Sequence, residues 1–341
     1  MKIGMTYDLK EDYLQQGFSL AALAEFESKE TIDAIEAALF KLDAQVIHIG
    51  HIKNLVAKLA SGERFDLVFN IAEGMYGFGR EAQIPALLDA YQIPYTFSDP
   101  LTLSLALHKG MTKRVLSTFH IASAPFMVVE TLADLQNISL HYPLFAKPIA
   151  QGTSKGILPS CKVGNGVELS LICERLLAEY SEPVLVEEYL PGREFTVGII
   201  GTGAKAYAIG VMEIQFTKAS GDIYGFDSKQ SWSFAPQYHV TCDALAEEVS
   251  SVALRAWRAL GCRDAGRVDM RLDAAGVPSV IEINPLAGLR PNYSDLPVLC
   301  DLAGLPYQTL IEKIIRSAWE RESINLPCFG YPTVLWQPNG Y

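Results

Sequence analysis

The sequence has no long uninterrupted run of apolar residues. None of its runs reaches the roughly 18 residues that a membrane-spanning helix requires, and the opening MKIGMTY has no apolar core long enough for a signal peptide. We therefore expect no membrane segment and predict a cytoplasmic location. With 341 residues, 49% of them hydrophobic, the chain can bury an ample core divided over two or three domains.

Positive charge is also scarce. There are 28 Lys and Arg residues against 39 Asp and Glu residues, which gives a net charge of -11. Such a surplus of negative charge opposes binding to phosphate backbones or anionic lipid, so we expect neither nucleic acid nor a membrane surface as a partner. Basic residues can still be concentrated in a cleft for an anionic cofactor, because net charge does not describe local placement.

Clustered metal-binding cysteines and histidines are absent as well. The six cysteines are scattered, with no Cys-x-x-Cys pair and no histidine at zinc-ligand spacing, so we interpret them as reduced packing residues. The six histidines are equally dispersed. Gly201-x-Gly203 joins two predicted strands and opens no helix, which argues against a dinucleotide-binding loop.

Short apolar strands alternate with amphipathic helices over residues 1–100, and this alternation predicts a parallel sheet flanked by helices. The last of these strands is IPYTFS. Asp99 and Pro100 then form a favourable helix start, from which LTLSLALHKGMTKRVLSTF continues as one predicted helix.

Beyond that helix, the strands YPLFAKPI, CKVG and PVLVEEYL surround another helix, and EFTVGIIG with AKAYAIGVMEI predicts an antiparallel hairpin. A glycine-rich polar stretch with little core-forming periodicity follows and predicts a mobile loop. The fold class is therefore α/β (α+β). Its predicted domains are residues 1–100, 101–187 and 188–341, the last containing the loop over 217–237.

A second hairpin, RVDMRLDAAGVPSVIEINP, carries the strongest chemical signal. If its pairing is symmetric about the turn, Arg267 opposes Asn284 and Asp269 opposes Glu282, with all four side chains on one face. Opposed carboxylates repel unless a cation lies between them. Because Mg2+ prefers carboxylate and carbonyl oxygens together with substrate phosphates, this face predicts one or two Mg2+ ions that bridge ATP phosphates. Arg267 would then face the transferring phosphoryl group.

The alternative for this hairpin is a solvated face with an ordinary Arg–Asp pair. Against it stands the apolar character of the remaining residues, which predicts that they face a core. These residues are Val268, Met270, Leu272, Val280, Ile281 and Ile283.

Two other segments are suited to a nucleotide. Lys147 ends a predicted buried strand, and the loop Gly152–Gly156 that follows has backbone N–H groups suited to phosphates, although it lacks the Walker spacing and a plain surface turn is the alternative. Glu187 ends the next strand, where the backbone can hold adenine and Glu194 can hold ribose. The alternative is that Glu187 and its neighbour Glu188 are simply exposed.

Six motifs, in this order and over nearly the whole chain, resemble the D-alanine-D-alanine ligases of the ATP-grasp superfamily. They are VFNIAEG, IPYTFSDP, HKGMTKRVL, FAKPIAQGTSKGI, LVEEYLPGREFTVGIIG and RVDMRLDAAGVPSVIEINPLAG. The resemblance implies an ATP-grasp fold with ATP between the central and C-terminal domains. It implies a carbon-nitrogen ligase in which ATP phosphorylates a carboxylate and an amine attacks the acylphosphate, releasing ADP and phosphate. It also implies Mg2+, with Mn2+ as a substitute, and a homodimer.

The resemblance further implies a role for each matching residue. For the nucleotide it implies Lys109, Lys147, Gly152, Thr153 and Ser154 at the phosphates, Glu187, Glu188 and Leu190 at adenine, and Glu194 at ribose. For the reaction it implies Asp269, Glu282 and Asn284 as Mg2+ ligands, Lys229 as the lid lysine within the 217–237 loop, and Arg267 with the backbone of Gly288 at the tetrahedral intermediate.

The chain departs from the family pattern on the substrate side. The early glycine-serine-glutamate signature is missing from MTYDLKEDYL, Ala72-Glu73-Gly74 replaces histidine-glutamate-glycine, and NPLAGLRPNYSDLP replaces the serine-proline-glycine turn. We infer a retained scaffold with changed substrates. Candidate N-terminal contacts are Glu25, Glu27, Glu73, Arg80 and Glu81, and candidates for the incoming amino acid are Arg290, Asn292, Tyr293 and Ser294. Arg290 suits bidentate binding of a carboxylate, with a surface salt bridge as the alternative.

We therefore predict an ATP-dependent ligase that phosphorylates a small acid, or an enol or ketone oxygen, and condenses it with an amino acid. One alternative is an amino acid ligase acting on mycosporine-glycine, and another is a D-alanine-D-alanine or other dipeptide ligase. A non-catalytic nucleotide-binding protein is a third, but retention of the metal, phosphate and lid residues together argues against it.

Overall fold

The computed structural model describes residues 1–215 and 237–325. Lys229 and the predicted loop around it therefore lie outside the described residues, apart from Gln237, which begins a strand. Within the described part, no helix combines the length and apolarity needed to cross a membrane.

The first sheet is parallel, as the alternation of strands and helices predicts. Its strands are β1 (Lys2–Thr6), β2 (Gln45–Gly50) and β3 (Leu67–Asn70), in the order β2-β1-β3. The helices of this region are α1 (Lys10–Leu14), α2 (Lys29–Phe40), α3 (Ile52–Ala60) and α4 (Gln83–Ala90). The predicted strand IPYTFS is wrong as a strand, because only a single bridge forms there, between Val68 and Tyr95.

The predicted single helix after residue 98 is also wrong, because it breaks at His108 into α5 (Pro100–Leu107) and α6 (Lys109–Thr118). The predicted start is confirmed, since the Asp99 carboxylate accepts from the N–H of Thr102 at 2.9 Å. His108 leaves the helical region, with ψ 89°, and its Nδ1 accepts from the N–H of Met111. The break places Lys109 at the first position of α6, where its side chain is buried.

The second sheet contains β4 (Phe126–Val129), β5 (Leu144–Pro148), β6 (Lys162–Val163) and β7 (Val184–Glu188), in the antiparallel order β4-β7-β5-β6. Helix α7 (Gly166–Tyr180) packs against it. Asn165 caps this helix by accepting from the N–H groups of Val167 and Glu168. The apolar residues of α7 and of the strands share one core, and the polar ends of β5 and β7 remain for the site.

The third sheet is antiparallel, with the order β10-β9-β8-β11-β12. Its strands are β8 (Glu194–Ile200), β9 (Tyr207–Gln215), β10 (Gln237–Thr241), β11 (Ala265–Leu272) and β12 (Pro278–Asn284). Both predicted hairpins, β8 with β9 and β11 with β12, are confirmed. Helix α8 (Ala244–Ala259) buries Val249, Ala253 and Trp257 on one face of this sheet, and the polar side chains of the site lie on the other face.

The chain ends, within its described part, in α9 (Asp295–Leu302) and α10 (Tyr307–Asn325). Ile311, Ile314 and Ala318 of α10 belong to the same apolar cluster as α2 and the first sheet. Buried Asp264 adds a polar link, because it accepts from the N–H of Phe97 at 2.7 Å and from the hydroxyl of Ser317 at 2.8 Å. The C-terminal helix thus packs on the N-terminal region, and the division at residues 100 and 187 stays a prediction.

Candidate active site

The β11–β12 hairpin brings the four predicted polar residues together. Arg267 pairs with Asn284 and Asp269 pairs with Glu282, which confirms the symmetric register at the base of the hairpin. The register then shifts by one residue, so that Met270 pairs with Val280. The shift makes Ile281 an extra residue. Its predicted place in the core is therefore wrong, and it lines the site cavity beside Glu282.

The polar face of the hairpin forms one hydrogen-bonded cluster. Arg267 donates to the Asp269 carboxylate, and Thr196 donates to the other oxygen of that carboxylate at 2.8 Å. The Asn284 amide donates to Asp269 at 3.1 Å and to Glu282 at 3.2 Å. The alternative for this hairpin was a solvated face with an ordinary Arg–Asp pair. The pair is present, but the face is not solvated, since the Arg267 and Asp269 side chains are only 15% and 13% exposed.

The two opposed carboxylates differ in their affinity for a proton. Burial raises the pKa of Asp269 to about 6, and the neighbouring Glu282 adds to the rise against the opposing effect of Arg267. Burial also acts on Glu282, but Lys109, 3.5 Å away, and Arg267 outweigh it and lower the pKa of Glu282 to about 2. At neutral pH both groups are ionised, and Glu282 holds its charge more firmly.

The donor set of the hairpin fits Mg2+. The described residues contain no cluster of three or more Asp, Glu, His or Cys side chains that is able to hold a metal. The hairpin instead offers two carboxylates and the amide of Asn284. This agrees with the habit of Mg2+, which uses one or two carboxylates and takes its remaining oxygens from phosphates and water.

A second ion cluster lies across the cavity on α6, β5 and β7. Glu187 is paired with Lys147 at 2.6 Å and with Lys113 at 2.8 Å, and all three side chains are less than 10% exposed. Burial raises the pKa of Glu187, but the two lysines outweigh it and lower that pKa to about 2. The alternative of an exposed Glu187 is therefore wrong.

Sequence reasoning missed Lys113 in this cluster. The residue lies four positions after Lys109 on the same face of α6, and that spacing was the available signal.

The remaining nucleotide-side predictions fall around the same cavity. Glu194 lies 3.3 Å from Arg271, whose guanidinium also donates to the hydroxyl of Tyr189 at 2.9 Å. Arg271 was not predicted, because a charged residue near the turn of a hairpin is expected to be exposed. Only the pairing of β11 with β8 places it opposite Glu194. Glu188 turns outward and accepts from the N–H of His141. Predicted residues that line the cavity are Lys109, Lys147, Thr153, Ser154, Glu187, Glu188, Leu190, Glu194, Arg267, Asp269 and Glu282.

The glycine-flanked loop is tied to the N-terminal region. Gly152 donates to one oxygen of Glu25 at 2.5 Å, and the other oxygen accepts from Arg80 at 2.9 Å. Arg80 also donates to the carbonyl of Ala150. Glu25 and Arg80, which the sequence assigns to substrate, thus hold the loop in place, and their contact with substrate stays a prediction. A surface turn is excluded as the description of this loop.

Two more carboxylates surround Arg80. Burial raises the pKa of Glu73 well above its usual range, with Glu81 and Glu25 adding to the rise. Burial likewise raises the pKa of Glu81 to about 7, and the neighbours of Glu81 include Lys109 and Glu282. We call Glu25, Glu73, Arg80 and Glu81 the N-terminal cluster. It adjoins the hairpin face through the Lys109–Glu282 pair.

In the segment after the hairpin, the predicted contacts with the incoming amino acid stay predictions. The Arg290 guanidinium stacks over the ring of Tyr293 at 4.8 Å, and the backbone N–H of Arg290 donates to the hydroxyl of Ser294. A Cβ at Gly288 would lie 2.8 Å from that hydroxyl, so glycine permits the close approach. Asn292 and Tyr293 are exposed, and none of residues 290–294 lines the site cavity.

Glu27 is a half-buried neighbour of this segment. Burial raises the pKa of Glu27, against Thr31, Lys10 and Arg290. The residue just after this segment that does line the site cavity is Asp295, which was not predicted.

The two facing antiparallel sheets, with a charged cavity between them, are those of an ATP-grasp protein. Residues 115–316 match a family model described as D-ala D-ala ligase C-terminus. The D-alanine–D-alanine ligase of Bordetella petrii is 34% identical over 282 residues, which cover 81% of this chain and 82% of that protein. The uncharacterized protein y4sG of Sinorhizobium fredii is 30% identical over 75% of each chain.

Solved structures agree in fold. The D-alanine–D-alanine ligase of Bacillus anthracis complexed with ATP has a TM-score of 0.71 at 22% identity, over 95% of this chain and 99% of that one. The VanG D-Ala:D-Ser ligase of Enterococcus faecalis has a TM-score of 0.71 at 20% identity, over 93% and 99%. The chain belongs to the ATP-grasp D-alanine-D-alanine ligase-like family, and it is an ATP-dependent, ADP-forming ligase. The predicted family, fold and enzyme class are confirmed.

Proposed function

We propose that this ligase joins two amino acids. The observation that carries the proposal is the N-terminal cluster, in which three carboxylates surround a single arginine beside the Lys109–Glu282 pair. Glu25 is paired with Arg80, and an ammonium group beside Glu73 and Glu81 would counter the effects that raise their pKa values and would stabilise their ionised forms. A substrate with its ammonium at this cluster and its carboxylate towards the hairpin is an amino acid and not a plain acid.

ATP would lie in the cavity between the second and third sheets. Lys109 and Lys147 would contact its phosphates, Glu187 with the backbone of Glu188 and Leu190 would bind adenine, and Glu194 would bind ribose. Arg271 would orient Glu194, because it already pairs with that carboxylate at 3.3 Å.

Mg2+ would be held by Asp269, Glu282 and Asn284, where it neutralises phosphate charge. In the structure the Asn284 amide turns its N–H groups towards both carboxylates. Rotation of this amide by half a turn presents its oxygen at the same place. The hairpin could therefore pass from the metal-free to the metal-bound state without a change of backbone.

The reaction has two steps. An oxygen of the first carboxylate attacks the γ-phosphorus and ADP leaves. The amine of the second amino acid then attacks the acyl carbon, loses a proton, and displaces phosphate. Positioning and charge stabilisation dominate such chemistry. Arg267 and the N–H of Gly288 would stabilise the oxyanion of the tetrahedral intermediate, and Arg290 would bind the carboxylate of the second amino acid.

Release of ADP from Mg-ATP over a panel of substrates tests this proposal. The panel contains single amino acids of both configurations, pairs of them, and pairs in which an acid without an amino group or mycosporine-glycine replaces the first partner. We expect turnover with amino acids alone and a dipeptide by mass spectrometry. Turnover only when the first partner lacks an amino group would overturn the proposal. The mycosporine-glycine alternative, the homodimer and the role of Lys229 stay predictions.

A further inference from the structure

Asp295, the first residue of α9, faces the same cavity as the hairpin. Its side chain is only 10% exposed, and its Oδ2 lies 3.6 Å from Nη1 of Arg267. Glu282 and Asp269 line the cavity beside it. An acidic residue in the first turn of a helix commonly stabilises the helix dipole, and such a residue has no need of a partner on another element. The proximity to Arg267 therefore needs a separate explanation.

Arg267 lies between two carboxylates that come from different elements. Asp269 reaches it from its own strand, and Asp295 reaches it from α9. Burial lowers the pKa of Arg267, but Asp269, Asp295 and Glu282 outweigh it, so the guanidinium stays charged. The closer partner of Arg267 is Asp269. The Asp269 oxygen that accepts from Arg267 also accepts from the Asn284 amide.

A divalent cation on the hairpin would change this balance. The Asp269 oxygen that accepts from Arg267 also accepts from the amide of Asn284, the third proposed metal ligand, so the guanidinium and the cation would compete for it. Two cations that close repel each other strongly in a buried site. Arg267 must then transfer to another acceptor, and Asp295 already lies within ion-pair distance.

We propose that Asp295 is a positioning residue that receives Arg267 when Asp269 turns to the metal ion. The inference rests on the metal site of the proposed function. Asp295 lets the metal bind without leaving a buried guanidinium uncompensated, and it retains Arg267 at the edge of the cavity nearest α9. Metal affinity and the placement of Arg267 are thereby coupled.

A double-mutant cycle on Mn2+ affinity tests the coupling. Mn2+ is titrated into the ADP-saturated protein, and free Mn2+ is followed by electron paramagnetic resonance, for wild type, Asp295→Asn, Arg267→Met and the double variant. We expect Asp295→Asn to weaken Mn2+ binding about tenfold in the wild-type background, and less than about threefold once Arg267 is absent. Asp301→Asn, an exposed change on the same helix, is the matched control and should leave Mn2+ affinity unchanged.

The outcomes separate this inference from the function on which it rests. An equal loss of Mn2+ affinity in both backgrounds would mean that Asp295 acts on the metal directly and would overturn the inference. No Mn2+ binding by the wild type would overturn the metal site itself. Asp295→Glu keeps the negative charge and should therefore recover both the Mn2+ affinity and the kcat that Asp295→Asn loses. A merely structural role of Asp295 predicts no joint recovery of these two quantities.

Discussion

Two buried ion clusters face each other across the nucleotide cavity, and they carry opposite surpluses of charge. The hairpin cluster of Arg267, Asp269 and Glu282 has one cation and two anions. The lysine cluster of Lys113, Lys147 and Glu187 has two cations and one anion. The first is short of positive charge and the second is short of negative charge. A metal ion on one side and phosphate oxygens on the other would balance both, so under the proposed function charge alone would orient a metal-nucleotide complex.

The same contrast separates two carboxylates whose side chains are both largely shielded from solvent, at 13% exposure for Asp269 and 9% for Glu187. The pKa of Asp269 is raised to about 6, whereas the pKa of Glu187 is lowered to about 2. Burial raises the pKa in both cases, so it does not explain the difference. Two lysines on Glu187, against one arginine shared with other acids on Asp269, do explain it. The number of cations within reach therefore decides how firmly each of these two carboxylates holds its charge.

The largest effect should come from removing a metal ligand on the hairpin. Asp269→Asn keeps the shape of the side chain but removes one of the two negative charges, and we expect ADP release to fall about a thousandfold or more. Circular dichroism should show an unchanged fold, and ADP affinity measured without metal should also remain unchanged. Asp273→Asn, at the turn of the same hairpin, is the control, because Asn keeps an oxygen that can accept from the N–H groups of Ala275 and Val277. Near-normal turnover in Asp269→Asn would remove the hairpin from the reaction.

A smaller effect should come from the lysine cluster. Lys147→Met removes one of two cations and should raise the KM for ATP roughly 30-fold, about 2 kcal/mol, since hydrogen bonds to charged groups contribute on this scale. The exposed Lys53→Met, on α3, serves as control. An unchanged KM with a collapsed kcat would show that Lys147 acts in the chemical step, and the contrast between a metal-binding cluster and an anion-binding cluster would then fail.

The two clusters also differ in how far the sequence predicts them. Side chains alternate along strands, so the position of the turn between the two arms of the hairpin was enough to predict that Asp269 pairs with Glu282. The one-residue shift beyond Asp269, which brings Ile281 to the cavity, was not predictable, because nothing in the alternation of either arm signals a bulge. The hairpin cluster is local in sequence, and its prediction needed little more than the period of a strand.

The lysine cluster is not local. Lys113 and Glu187 lie on α6 and β7, and only the docking of this helix on the second sheet brings them together. Asp295 escaped prediction for the same reason, since α9 reaches the hairpin only in the folded chain. The break at His108 was hidden by residues on both sides that favour a helix, although burial of Lys109 beside the loop depends on it. Prediction missed Lys113 and Asp295 because their charge partners lie on distant segments.

The smallest effect should appear in the acid stability of the lysine cluster. The pKa of Glu187 in the folded protein, about 2, lies below its ordinary value of 4.5. The stabilisation from this shift is complete above the ordinary value and is lost as the pH falls towards about 2. Between pH 6 and pH 3.5 the wild type should therefore lose about 1 kcal/mol of unfolding free energy through this group.

Glu187→Gln cannot lose that stabilisation on acidification, because its side chain does not titrate. The variant should be less stable than wild type at pH 6, since two buried lysines share no counterion, and the gap should narrow by about 1 kcal/mol at pH 3.5. Urea unfolding followed by tryptophan fluorescence at several pH values measures the gap, with the exposed Glu248→Gln as control. A stability gap that stays constant with pH would mean that the two lysines do not hold the Glu187 carboxylate ionised. The contrast between the charge of the lysine cluster and that of the hairpin cluster would then be wrong.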